Sequence, residues 1–160
     1  GTLNLQLAPI DANAAVIAAI DTVSGITRTA GVTVKFDPSP DNARISANAD
    51  RLRQVLINIL SNAVKYNSAD QPKIDVHVHV HEPRDVLYID IIDNGGGVMR
   101  DDVAMVFEKF SRGSSDGNSV GAGLGLPISR AIMRAMKGDL TIEFAPDNTS
   151  FFQLQLARAN

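Results

Sequence analysis

The chain has 160 residues, 44% of them hydrophobic, which excludes a disordered polymer and suffices for one domain with its own core. A net charge of -3 lacks the basic footprint of a nucleic-acid binder, and the absence of cysteine removes disulfides, thiolate metal sites and cysteine nucleophiles. With no apolar run long enough to span a membrane, no leader peptide and no initiator Met, the expectation is a soluble single domain, residues 1–160, excised from a longer protein.

The alternating "LNLQL" reads as a strand, and Asp11 as the N-cap of an alanine-rich helix from Ala12 to Val23 that closes between Gly25 and Gly31. "VTVKF" and "ARISA" read as a strand pair joined by the turn-rich "DPSPDN". A helix from Asp50 to Tyr66 follows, with Leu52, Val55, Leu56, Ile59, Leu60 and Ala63 at the spacing of a core-facing stripe. Beside that stripe stand Gln54, Asn58, Asn62 and Lys65. Asparagine is a mediocre helix former, because its amide competes for backbone hydrogen bonds, so two of them one turn apart in mid-helix call for a reason. Two readings are open. The face is solvated, or Asn62 offers a neutral oxygen to magnesium while Lys65 neutralises phosphates.

The turn "NSADQP" leads to "KIDVHVHVH" and "VLYIDIID", a hairpin joined through "EPRD". His77, His79 and His81 share one strand face, opposite Ile74, Val76, Val78 and Val80. A solvated sheet face and a zinc site both fit that spacing, although no carboxylate cluster accompanies the histidines. In "DNGGGV", Asp93 ends an apolar strand and three glycines follow. Asn-Gly after a strand signals a hairpin turn, whereas bare backbone also lets a ligand come close. The next stretch, "VMRDDVAMVFEKF", places Val103, Val106, Phe107 and Phe110 at helical spacing and offers no returning strand, which favours the ligand. Phe107 and Phe110 themselves suit packing better than base stacking.

"SRGSSDGNSVGAG" is a loop of unusual length for a compact domain, and a helix from Leu124 to Met136 ends at Gly138. Gly121, Gly123 and Gly125 stand just ahead of that helix and in its first turn, with Pro127 where a first-turn proline is tolerated. Uncrowded N–H groups at a helix start make an anion site; a helix merely preceded by a flexible loop is the other reading. Neither GxGxxG opening a helix after a strand nor GxxxxGK[ST] is present, which weighs against Rossmann and P-loop folds. The strands "DLTIEF" and "SFFQLQL" complete an order that argues for a mixed sheet with helices on one face.

Taken in order, the asparagine helix, "DNGGGV", "FEKFSRG" and "GAGLGL" resemble the N, G1, F and G2 boxes of the catalytic ATP-binding domain of sensor histidine kinases, within the wider GHKL group of ATPases. The motifs run from Asp50 to Phe152. The resemblance implies an α/β (α+β) two-layer sandwich, the Bergerat ATP-binding fold, with a lid from Ser111 to Ala122 that is mobile without ATP. It implies that Asn62 is the magnesium ligand, that Lys65 and Tyr66 border the nucleotide, and that Asp93 accepts a hydrogen bond from the adenine amine. Gly95 and Gly97 would let base and lid approach, and Arg112 would reach the phosphates. Gly121, Gly123, Leu124 and Gly125 would supply hinge and backbone donors of the lid. Catalysis would be positioning and charge neutralisation by magnesium, Lys65 and Arg112.

Two departures from the family pattern stand out. Asn58 occupies the catalytic position that holds a glutamate in hydrolytic relatives, and an amide cannot act as a base, which disfavours water-attacking and serine-phosphorylating members. "APDNTSFF" lacks a glycine common in this family, and Asp147 with Asn148 can form that turn instead. The implied activity is transfer of the γ-phosphate of Mg-ATP to a histidine on separate dimerisation helices, and onward to a response regulator. The acceptor histidine has no counterpart among His77, His79 and His81, so the fragment is expected to be monomeric and not to autophosphorylate. The whole kinase would be a homodimer with this portion cytoplasmic, and no nucleic-acid partner is expected. A pseudokinase acting by contact and a hydrolytic GHKL ATPase are the alternatives.

Overall fold

The computed structural model describes residues 4–108 and 120–159, the side chains of residues 120–124 excepted. Strand β1 (Ala8–Asp11) runs directly into helix α1 (Ala12–Thr22). The junction is sharp because the Asp11 carboxylate accepts from the Ala14 N–H at 3.1 Å, satisfying one donor that the helix start leaves unpaired. Helix α2 (Ser24–Ala30) ends on Gly31 in the left-handed conformation. Strands β2 (Thr33–Asp37) and β3 (Arg44–Ala47) lead to α3 (Ala49–Lys65), capped by Asn48, whose side-chain oxygen accepts from the Arg51 N–H at 3.0 Å. Strands β4 (Lys73–His81) and β5 (Val86–Asp93) form the expected hairpin around a 3-10 turn, Glu82–Arg84. A second 3-10 turn, Arg100–Asp102, precedes the single-turn α4 (Val103–Val106), and α5 (Val120–Ala135), β6 (Asp139–Phe144) and β7 (Ser150–Ala157) complete the order.

Five strands make one mixed sheet, ordered β2-β4-β5-β7-β6, with β2 parallel to β4 and every other pair antiparallel. Register puts Phe36, Val76, Ile91, Phe152 and Ile142 in one row across the sheet. That row faces the helical layer, in which α3 buries Leu52, Val55, Leu56, Ile59, Leu60, Ala63 and Val64 between α1 and α5. The other sheet face carries a polar row of Asp37, His77, Asp90, Gln153 and Thr141. The result is the expected two-layer sandwich with helices on one face.

Several local expectations are corrected. Residues 4–7 are irregular rather than strand, although Leu5 and Leu7 pack on the core and the Asn48 amide holds the Gln6 carbonyl at 3.1 Å. Alternation there records half-burial, not a ladder. Strands β2 and β3 do not pair with each other: β2 joins β4, while β3 joins β1 in a separate two-stranded sheet with Ile10 opposite Ile45. The segment from Gly25 to Gly31 contains α2 rather than closing α1, with Thr27 buried and its N–H donated to Val23. Of the helix expected over "VMRDDVAMVFEKF", the described residues 98–108 contain a 3-10 turn and α4. Helix α5 begins at Val120 instead of Leu124, so Gly121, Gly123 and Gly125 lie inside it and Pro127 has no N–H for the Gly123 carbonyl. Glycine costs a helix about 1 kcal/mol without forbidding it. No hairpin follows Asp93, because β5 pairs with β4 and β7. Asp147 and Asn148 do form the β6–β7 turn, Asn148 at φ 73 and the Asp147 carboxylate accepting from the Thr149 N–H.

Candidate functional site

The second half of α3, the segment after β5, α4, the early part of α5 and β7 enclose a cavity of about 240 Å³. Its polar groups are the side chains of Asn62, Tyr66 and Asp93, and Gly96 and Gly97 add bare backbone. Ala63, Val98, Val106, Leu126 and Phe152 make the remaining wall apolar, a surface suited to a flat heteroaromatic ring oriented by few polar contacts.

Helix phase brings Asn62 to the cavity, since it lies beside the packed stripe that ends in Ala63. Its side-chain nitrogen is buried and, among the described residues, has no hydrogen-bond partner. An unsatisfied buried polar group costs about 1–3 kcal/mol, so an amide left unpaired beside a cavity calls for a partner. One neutral amide oxygen also suits magnesium, which draws most of its octahedron from water and phosphates. No group of three or more His, Asp or Glu side chains that could hold a metal occurs among the described residues, so a metal here would depend on its ligand's own oxygens.

Asp93 closes β5 with its carboxylate at the cavity. Burial pushes its pKa above the ordinary value, and the Gly95 N–H, donated to Oδ1 at 2.7 Å, only partly offsets this. Gly95 itself is outside the cavity wall: a Cβ there would stand 2.8 Å from Asp93 Oδ1 and 3.3 Å from the Asn67 Cα, so the missing side chain seats this turn against the end of α3. Gly97 has φ 72 and approaches Ser150, whose hydroxyl accepts from the Val98 N–H at 2.8 Å. The open backbone lies at Gly96, which has nothing within 4 Å of a would-be Cβ.

The polar stripe of α3 divides. Gln54 is exposed and accepts from Arg51; Asn58 is directed at α5, where its amide nitrogen donates to the Ser129 hydroxyl at 3.0 Å, and it does not line the cavity. Lys65 is exposed, with its ammonium 5.8 Å from the Tyr66 ring centroid, and also stands outside the wall. Gly121, Gly123 and Leu124 fall in the first turns of α5, and Gly125 covers Asn58. Phe107 packs under the Arg130 guanidinium, 4.4 Å from its ring centroid, rather than in the cavity. Phe110, Arg112 and residues 111–119 of the lid expected from Ser111 to Ala122 lie outside the described residues. Two of the three histidines do have a carboxylate neighbour: His77 meets Asp37 at 3.2 Å and His79 meets Asp90 at 2.8 Å, while His81 accepts from the Arg84 N–H. These carboxylates come from neighbouring positions of the folded sheet, which is why no local spacing announced them. Sequence reasoning missed Gly96, Val98, Val106, Leu126 and Phe152 as wall residues; for Phe152 the inward phase of its strand carried the signal.

Residues 47–160 match the family model described as histidine kinase-, DNA gyrase B-, and HSP90-like ATPase. Among curated proteins, the sensor protein KdpD of Escherichia coli (strain K12) is 37% identical over 112 residues, covering 70% of this chain and 12% of its own length. The sensor protein EvgS of Escherichia coli O157:H7 is 30% identical over 73% of this chain, which spans 10% of it. Among solved structures, full-length ShkA in complex with AMPPNP superposes with a TM-score of 0.81 at 28% identity, over 99% of this chain and 33% of that one.

Proposed function

Since the chain belongs to the family of histidine kinase-, DNA gyrase B- and HSP90-like ATPases, we propose that it binds Mg-ATP in the α3–α5 cavity and donates the γ-phosphate to a histidine on a separate dimerisation and phosphoacceptor domain. Its fold is that family's Bergerat sandwich, and residues 1–160 are read as one catalytic domain of a two-component kinase. The observation that carries this reading is the pairing, in one cavity, of the Asn62 amide, whose buried nitrogen has no partner among the described residues, with the Asp93 carboxylate. ShkA, crystallised with AMPPNP, supports it from outside the chain.

Asp93 orients the base by accepting from the adenine amine, and the apolar wall of Ala63, Val98, Val106, Leu126 and Phe152 excludes water from the ring. Asn62 offers its amide oxygen to the metal, and magnesium, when bound, neutralises charge on the phosphate oxygens. Lys65 at the end of α3 is free in solvent to swing toward the phosphates, and Arg112 is retained as a second phosphate contact on the motif resemblance. The acceptor imidazole attacks the γ-phosphorus, an N–P bond forms, and ADP leaves with the electrons of the broken O–P bond. Asn58, an amide, offers no base to that step. Partner helices and response regulator belong to the rest of the kinase.

Titration calorimetry with a non-hydrolysable ATP analogue, with and without magnesium, tests the site. Binding by the parent chain that weakens without magnesium and is lost in Asp93→Asn is expected. No heat of binding at millimolar analogue would refute the reading.

A further inference from the structure

Asn58 lies one helical turn before Asn62 but serves a different surface. It is half-buried in the contact between α3 and α5, and its amide nitrogen donates to Ser129, which is 3% exposed, at 3.0 Å. Gly125 rests on the same amide: a Cβ there would stand 2.6 Å from Oδ1, 2.7 Å from Nδ2 and 3.0 Å from Cγ. Three atoms of one side chain thus meet a position where only a hydrogen fits, and one turn further along α5 the same amide finds a hydroxyl. Leu126, the next residue after Gly125, is in the cavity wall and 3% exposed.

Apolar helix contacts tolerate small slides, because dispersion and burial are not directional. A hydrogen bond within such a contact does not, since leaving either partner unmade costs its full desolvation. The first turns of α5 need such a pin: they are rich in glycine and interrupted by Pro127, so backbone propensity alone holds them weakly.

We propose that Asn58 is a positioning residue for the nucleotide cavity: its amide, Gly125 and the Ser129 hydroxyl form a joint that sets where α5 sits on α3 and so holds Leu126 in the wall. This rests on the ATP-site reading above and assigns Asn58 no contact with the reacting phosphate. An amide is suited to the joint, because it donates to the hydroxyl and lies flat under the glycine.

The test is Mg-ADP affinity, with thermal melting alongside, for the parent chain, Asn58→Ala, Ser129→Ala and the double variant. Each single change is expected to weaken ADP about fivefold, the loss of one hydrogen bond, and the double change to be no weaker than either single one. Ser129→Thr and Ser129→Val share one shape and differ by a hydroxyl; Thr should bind ADP at least several-fold more tightly than Val. That pair decides the matter even where Asn58→Ala fails to fold. Singles that melt lower but bind ADP like the parent, losses that add in the double variant, or Thr and Val binding alike would each overturn the joint while leaving the ATP site standing. A parent chain that binds no ADP would overturn both.

Discussion

Asp93 keeps a carboxylate where burial opposes its charge, and the Gly95 N–H recovers only part of the loss. Its folded pKa lies above the 3.8 of the free group, so between the two values the folded chain holds the proton that the unfolded chain has released. Stability from this group therefore falls as pH rises through that interval and stays at the lower level at neutral pH. Asp93→Asn is accordingly expected to melt at the same or a higher temperature than the parent at pH 7, while nucleotide affinity collapses. A clear drop in melting temperature would mean that the carboxylate is part of the scaffold. Gly95 and Gly97 were legible as glycines at a site, yet the reason for each is the protein's own backbone and Ser150, with the free approach at Gly96. Which neighbour a missing side chain makes room for depends on atoms from other elements.

At the scale of the element, three asparagines of α3 and its cap have three different surroundings: Asn48 caps the start, Asn58 bonds Ser129 of α5 and Asn62 lines the cavity. Asn48 caps its start by accepting from the Arg51 N–H, and its amide nitrogen donates to Gln6, so one side chain ties the entering segment to the helix. Asn48→Ala should cost about 1 kcal/mol in urea unfolding, the usual worth of an N-cap, and leave nucleotide affinity unchanged. A loss of affinity of the same size would mean that the start of α3 is coupled to the cavity. The core stripe and the oddity of two mid-helix asparagines were visible in the sequence, because 3.6-residue spacing belongs to one helix alone. Their division into a buried joint at Asn58 and a cavity group at Asn62 was not, because it depends on where α5 crosses.

Across the whole molecule, α5 is fastened to the sheet edge through Asp139. Burial would raise its carboxyl, but the Leu140 N–H and the Arg130 and Arg134 guanidinium groups outweigh that and lower the pKa. Arg130 also stacks on Phe107, so the tie reaches the segment after β5. A lowered folded pKa gives stability that is present above the unfolded value of 3.8 and is lost as pH falls through the folded one. The difference in unfolding free energy between the parent and Asp139→Asn should hold level near neutral pH and shrink below about pH 4; a difference that does not shrink would show that the ion pairs add nothing. Element order from β2 onward, the mixed sheet, the inward phase of β4, β5 and β7, and the ordered asparagine and glycine motifs were legible, since alternation and helical spacing are written within single segments. The β4–β5 pairing was legible too, but the partners of β2 and β3 were not: the turn between "VTVKF" and "ARISA" looks like a hairpin, and only the packed core sends one strand to β4 and the other to β1. The cavity has the same origin. Asn62, Asp93, Leu126 and Phe152 come from four separate parts of the chain, and local periodicity cannot say that they share a wall; long-range packing of α3, α5 and the sheet brings them there.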